Sequence, residues 1–121
     1  MLASGGLPGR IINISSTTTV YPDSGLAIYA ASKNAIKMFT EILAQEIGDR
    51  GITVNTLLPG PTTPGMFDNM PNEVHEAAAN SSPFKWIGRS EDIADVVAFL
   101  VSDKARWITA QHIVVNGGAN M

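Results

Sequence analysis

None of the 121 residues is cysteine, which excludes a disulfide scaffold, Cys-ligated zinc and thiol catalysis. No apolar run nears the ~18 residues that would suggest a membrane-spanning helix. The best run, Val96–Val101, is short and sits inside an amphipathic pattern. Positive charge is not in surplus: 8 Lys+Arg stand against 11 Asp+Glu, a net charge of −3. Neither a nucleic-acid nor a membrane partner is therefore expected. The opening residues Met1-Leu2-Ala3-Ser4-Gly5-Gly6 hold neither the basic start nor the hydrophobic segment of a signal peptide, so a cytoplasmic protein is the expectation. There is no internal repeat, and no low-complexity tract longer than Thr17-Thr18-Thr19. A G-x-S-x-G nucleophile elbow is also missing, which disfavours a serine hydrolase.

What is present suits one folded domain. Apolar residues make up 45% and charged residues 16%, a composition that can bury a core. Met1–Gly9 reads as a loop. Arg10-Ile11-Ile12-Asn13-Ile14 is a β-branched run ending in Ser and Thr, and it predicts a buried strand. From about Ala27 the period changes. Ile28, Ala31, Ala35, Met38, Phe39, Ile42, Leu43 and Ile47 recur at three and four residues, which predicts one buried helix face. Glu41, Glu46 and Asp49 read as the solvated side of that helix, and Gly51 stops it.

Thr53–Leu58 predicts a second strand, broken by Pro59-Gly60-Pro61. Thr62–Lys85 reads as a long loop with a short helix near Glu73–Ala79, of the length that often forms a functional lid. Met66, Phe67 and Met70 within it, and Trp86 at its end, either line a substrate pocket or pin the loop down. Ser90 is a candidate cap for a further helix, with Glu91 and Asp92 in its first turn and Ile93, Val96, Val97, Leu100 and Val101 on its buried face. His112-Ile113-Val114-Val115 predicts a third strand, closed by Gly117-Gly118. His75 and His112 lack metal-ligand spacing, no metal site is expected, and His112 reads as a surface or interface residue. The order of elements predicts an α/β fold with a parallel sheet. Three such apolar strands want cover on both faces, so two long helices suggest part of a doubly wound sheet.

Tyr29 and Lys33 stand four apart at the start of the long helix, on one face and one turn apart. A phenol is a poor acid-base group at neutral pH, and a neighbouring ammonium favours its ionised form. Such a pair can donate and accept a proton, although a bare Tyr-x-x-x-Lys is common as a surface pair. Ser16 follows the first strand, at the edge where parallel sheets place their ligands, thirteen residues before Tyr29.

Here the sequence resembles the short-chain dehydrogenase/reductase family. The residues that carry the resemblance are Ile12-Asn13-Ile14-Ser15-Ser16, Tyr29-Ala30-Ala31-Ser32-Lys33, Gly51-Ile52-Thr53-Val54-Asn55, Pro59-Gly60, Trp107-Ile108-Thr109 and Val115-Asn116-Gly117-Gly118. They run in order from about Gly9 to Gly118. The resemblance implies hydride transfer between NAD or NADP and a small-molecule carbonyl or alcohol, on a Rossmann-like sheet. Tyr29 would pass the proton to or from the substrate oxygen, Ser16 would hydrogen-bond that oxygen, and Lys33 would assist Tyr29 and bind the nicotinamide ribose. Pro59, Gly60 and the backbone of Thr62 would contact the nicotinamide. Ser15 is read as a structural strand-end residue. Ala110 departs from the family's glycine and implies a slightly altered turn. The long helix would pair subunits in a homo-oligomer.

The resemblance covers the C-terminal half of such an enzyme. No G-x-G-x-x-G or G-x-x-x-G-x-G turn is present to hold a pyrophosphate at a helix N-terminus. The expectation is a catalytic portion at residues 1–121 with the dinucleotide-binding first half missing, as in a truncated product. The alternative is a non-catalytic remnant that serves as an oligomerisation or interaction module.

Overall fold

The computed structural model describes residues 8–120, leaving aside the side chains of Met66 and Phe67. The reading of Met1–Gly9 as a loop falls mostly outside the described residues. So do the pocket-or-pin readings of Met66 and Phe67.

Three parallel strands form the main sheet: β1 (Arg10–Ile14), β2 (Thr53–Pro59) and β5 (His112–Val115), in the order β1-β2-β5. Register pairs Ile12 with Asn55 and Ile14 with Leu57 on one side, and Leu57 with Ile113 and Pro59 with Val115 on the other. β2 is the middle strand and is buried from Thr53 to Leu58, the continuous burial expected of a parallel strand covered on both faces. The helix α1 (Ala27–Ile47) packs on one face of the sheet, and α3 (Ser90–Val101) packs over β1 on the other. A shorter helix, α2 (Asn72–Ser81), lies in the long connection.

The core on the α3 side gathers Leu57, Leu100 and Ala105, packed by Ile12, Ile93, Val96, Val97, Ile108, Ile113 and Val115. Burying Leu57 alone is worth about 2 kcal/mol. Side chains alternate along a strand, so Asn13 and Thr56 point the opposite way, toward α1. There Thr40 accepts hydrogen bonds from Asn13 Nδ2 at 2.9 Å and Thr56 Oγ1 at 2.8 Å. This polar contact is fully buried at Thr40 and Thr56. It fixes the rotation of α1 as well as its position.

That rotation overturns part of the expected helix face. Tyr29, Ala30, Lys33, Ile36, Thr40, Glu41, Leu43, Ala44 and Ile47 are the buried or half-buried positions, while Ile28, Ala31, Ala35, Met38, Phe39 and Ile42 are exposed. The periodicity is helical as predicted, but the apolar stripe turns away from the sheet because the buried contact is the hydroxyl cluster around Thr40. Glu41 also departs from a solvated role: its Oε1 lies 2.9 Å from Nε2 of His112, which is the partly buried first residue of β5.

Gly51 ends the helical segment as expected. Its φ is +74°, and its N–H donates to the Gly48 carbonyl after a 3-10 turn over Gly48–Arg50. Ser90 does not cap α3. It is the first helical residue, the cap position is Arg89, and Asp92 Oδ2 accepts the Arg89 backbone N–H at 2.7 Å. A carboxylate in the first turn has taken the role offered to the serine. Val101 is half exposed and is not part of the α3 core face.

The long connection is more ordered than a plain loop. Its two ends meet in a short parallel pair, β3 (Thr62–Thr63) with β4 (Gly88–Arg89). The segment between them is further tied to the end of β5, where Ser82 Oγ donates to the Gly117 carbonyl at 2.7 Å.

Candidate functional site

The C-terminal ends of β1 and β2 and the first turns of α1 converge on one edge of the sheet. Ser15 follows β1, is buried, and donates through Oγ to the Lys33 carbonyl at 3.1 Å. Lys33 Nζ donates back to the Ile14 carbonyl at 3.4 Å. The same ammonium stands 5.9 Å from the centroid of the Tyr29 ring, within cation–π reach. Strand end and helix start are thus laced together around Lys33, with Tyr29 half-buried beside it.

Ser16 begins a 3-10 turn over Thr17–Thr19 from an extended conformation, with φ −153° and ψ 152°. Its Oγ accepts from the Thr18 N–H at 3.2 Å and from the Thr18 hydroxyl at 3.1 Å. Both contacts use the serine oxygen as an acceptor, so its single proton is left for another partner. Among the described residues no hydrogen bond joins Ser16 to Tyr29; the two are brought to the same edge and are not bonded to each other.

Pro59 and Gly60 end β2 on this edge. Gly60 donates its N–H to the Val115 carbonyl at 3.0 Å, and a Cβ on Gly60 would lie 2.6 Å from Asn116 Cβ. Space, and not an unusual φ, makes this position a glycine. Thr62 enters the β3–β4 pair opposite Gly88, so its backbone, expected to face a nicotinamide, is partly engaged within the chain.

The turn before β5 holds Ala110 at φ +59°, with its N–H donating to the Val54 carbonyl at 2.8 Å. An alanine occupies the left-handed region that favours glycine, at a cost of about 1 kcal/mol. Asn55, the last residue of the Gly51–Asn55 motif, is buried. Its side chain donates to the Ile108 carbonyl and accepts from the Gln111 N–H, which ties β2 to the approach of β5. A further cavity of about 240 Å³ lies beside Asn116 and Thr62, with Phe84 and Trp86 in its wall. Sequence reading missed Phe84; the only available signal was its spacing of two from Trp86. Among the described residues, no group of three or more His, Cys, Asp or Glu could hold a metal ion.

A parallel sheet with its polar residues gathered beyond the strand ends is the Rossmann-like arrangement, and comparison with known proteins agrees. A family model described as enoyl-(acyl carrier protein) reductase matches residues 1–120. A short-chain type dehydrogenase/reductase of Picea abies is 47% identical over 111 residues, 91% of this chain and 41% of that protein. The 3-oxoacyl-[acyl-carrier-protein] reductase FabG of Pseudomonas aeruginosa is 42% identical over 113 residues, 93% of this chain and 46% of that one. Among solved structures, the angucycline C-6 ketoreductase LanV with bound NADP superposes with a TM-score of 0.84 at 39% identity, covering 96% of this chain and 46% of its own. The promiscuous reductase LugOII gives a TM-score of 0.82 at 41% identity, covering 96% and 47%. The chain belongs to the short-chain dehydrogenase/reductase family. It spans about half the length of the curated relatives it matches.

Proposed function

We propose that residues 1–121 are the C-terminal catalytic portion of an NAD(P)-dependent oxidoreductase that interconverts a small-molecule carbonyl and its alcohol in the cytoplasm. The observation that carries this reading is the lacing of β1 to α1: Ser15 and Ile14 hold Lys33, and Lys33 stands against the Tyr29 ring. The donor set fits the nicotinamide-ribose end of the cofactor. Lys33 has three N–H donors, and one of them reaches Ile14, which leaves donors for ribose hydroxyls. Pro59, Gly60 and Thr62 border the same edge. A nicotinamide cofactor, when bound, supplies or accepts the hydride. Tyr29 donates a proton to the substrate oxygen in reduction and takes it back in oxidation. Ser16 directs its uncommitted proton to that oxygen, where negative charge develops.

The expected outcome for Tyr29→Phe, in an enzyme in which this chain is joined to a dinucleotide-binding half, is turnover reduced by about a hundredfold to ten-thousandfold. Circular dichroism and urea midpoint should not change, because the ring is kept. Turnover near that of the parent would remove Tyr29 from the mechanism.

A second reading rests on a different observation. Ile28, Met38, Phe39 and Ile42 lie exposed along α1, more apolar surface on one helix than a solvated face needs. This supports a homo-oligomer built on α1, whether or not the chain is catalytic.

A further inference from the structure

Thr40 and Ala44 are the buried residues of α1, and of the two only Thr40 has a polar side chain. Its hydroxyl meets two strands at once. Asn13 of β1 and Thr56 of β2 are register partners, and both donate to Thr40 Oγ1, at 2.9 and 2.8 Å. One oxygen on the helix therefore holds two adjacent strands at a single level of the sheet.

These bonds matter because packing alone does not choose this face of α1. Ile28, Met38, Phe39 and Ile42 are large, apolar and exposed. Burial of apolar area is non-directional, and it rewards a roll of the helix that turns those side chains inward. Hydrogen bonds weaken steeply away from their preferred angles, and a buried donor left without an acceptor is costly. Asn13 and Thr56 thus hold α1 in its observed roll against the pull of its own apolar stripe.

The same roll aims Tyr29 and Lys33. Thr40 stands seven residues after Lys33 and eleven after Tyr29. Those spacings are close to two and three whole turns, so the three side chains share one face. With side chains ending about 5–6 Å from the helix axis, a roll of about 10° moves them by about 1 Å. A misplacement of about 1 Å costs about a hundredfold in rate. Ser15 also grips the helix, but through the Lys33 carbonyl. A backbone carbonyl lies nearer the axis than a side-chain end and resists roll with a shorter lever.

We propose that Thr40 is a positioning residue for the reaction: through Asn13 and Thr56 it fixes the roll of α1 that turns Tyr29 and Lys33 toward the sheet edge. This rests on the carbonyl–alcohol reading above, in which Tyr29 handles the proton.

The test uses the enzyme in which this chain is joined to a dinucleotide-binding half. Thr40→Val keeps the volume and removes the hydroxyl. Its kcat should fall by about tenfold to a hundredfold, while KM changes by less than about threefold. Thr40→Ser keeps the oxygen and should restore most of kcat. In a Tyr29→Phe background, Thr40→Val should cost no more than about twofold, because little is left for it to position. An unchanged kcat in Thr40→Val, or its full loss repeated in the Tyr29→Phe background, overturns the proposal. If Thr40→Val does not fold, Thr56→Val removes one of the two bonds and carries the same comparison. Crystal structures read the roll without activity: the Tyr29 hydroxyl should shift by about 0.5 Å or more relative to β1 in Thr40→Val, and stay in place in Thr40→Ser. That shift, together with full turnover in Tyr29→Phe, would sink the catalytic reading and leave the anchoring of α1 standing. An unmoved Tyr29 in Thr40→Val, with turnover lost in Tyr29→Phe, would do the reverse.

Discussion

Replacing Gly60 by alanine tests the packing that joins the two candidate cofactor-facing strands. The added Cβ would stand 2.6 Å from Asn116 Cβ and 3.1 Å from Asn116 Cα. Neither atom is the far end of a flexible chain. Asn116 is held by its bonds to Ala119 and Gly118, so the backbone after β2 must move away from β5. Overpacking of this kind costs about 1–3 kcal/mol. The move also stretches the bond from the Gly60 N–H to the Val115 carbonyl, worth about 1 kcal/mol. The expected loss is about 2–4 kcal/mol, a large part of the stability of an ordinary domain. With a urea slope of about 1–3 kcal/mol/M, the midpoint should fall by about 1 M or more. Gly48→Ala is the matched control. Its φ is −63° and a Cβ there meets nothing within 4 Å, so it should be neutral or stabilising by up to about 1 kcal/mol. A Gly60→Ala midpoint that matches the Gly48→Ala midpoint would refute the claim that contact with Asn116 dictates this glycine.

Ala110→Gly should move stability the other way. It relieves the left-handed alanine at φ +59°, and after the added freedom of the unfolded chain a gain of about 0.5–1 kcal/mol remains; a loss in urea denaturation would count against strain at this turn. Phe39→Asp should leave the thermal midpoint of a monomer nearly unchanged, because the ring is 59% exposed. It should shift sedimentation from oligomer to monomer if α1 forms the subunit contact, and an unchanged oligomer would place that contact elsewhere.

The sequence alone determined the elements along the chain. Arg10–Ile14 and His112–Val115 were legible to the residue, and the helix Ala27–Ile47 nearly so, because short β-branched runs, a period of 3.6 and a terminating Gly51 act locally. The ordered motifs from Ser16 to Gly118 also carried the family, since they are a property of chain order. Tertiary structure decided which way those elements face. An apolar stripe shows that α1 has a hydrophobic side, but only the bonds of Asn13 and Thr56 to Thr40 turn that stripe outward, and those partners come from three separate elements. The Glu41–His112 contact spans 71 residues of sequence and leaves no local signal. The same holds for Phe84 and Trp86, which are ordinary loop aromatics in one dimension. They become an open stacked surface only because Ser82 and the small Gly117 let their segment lie against the end of β5.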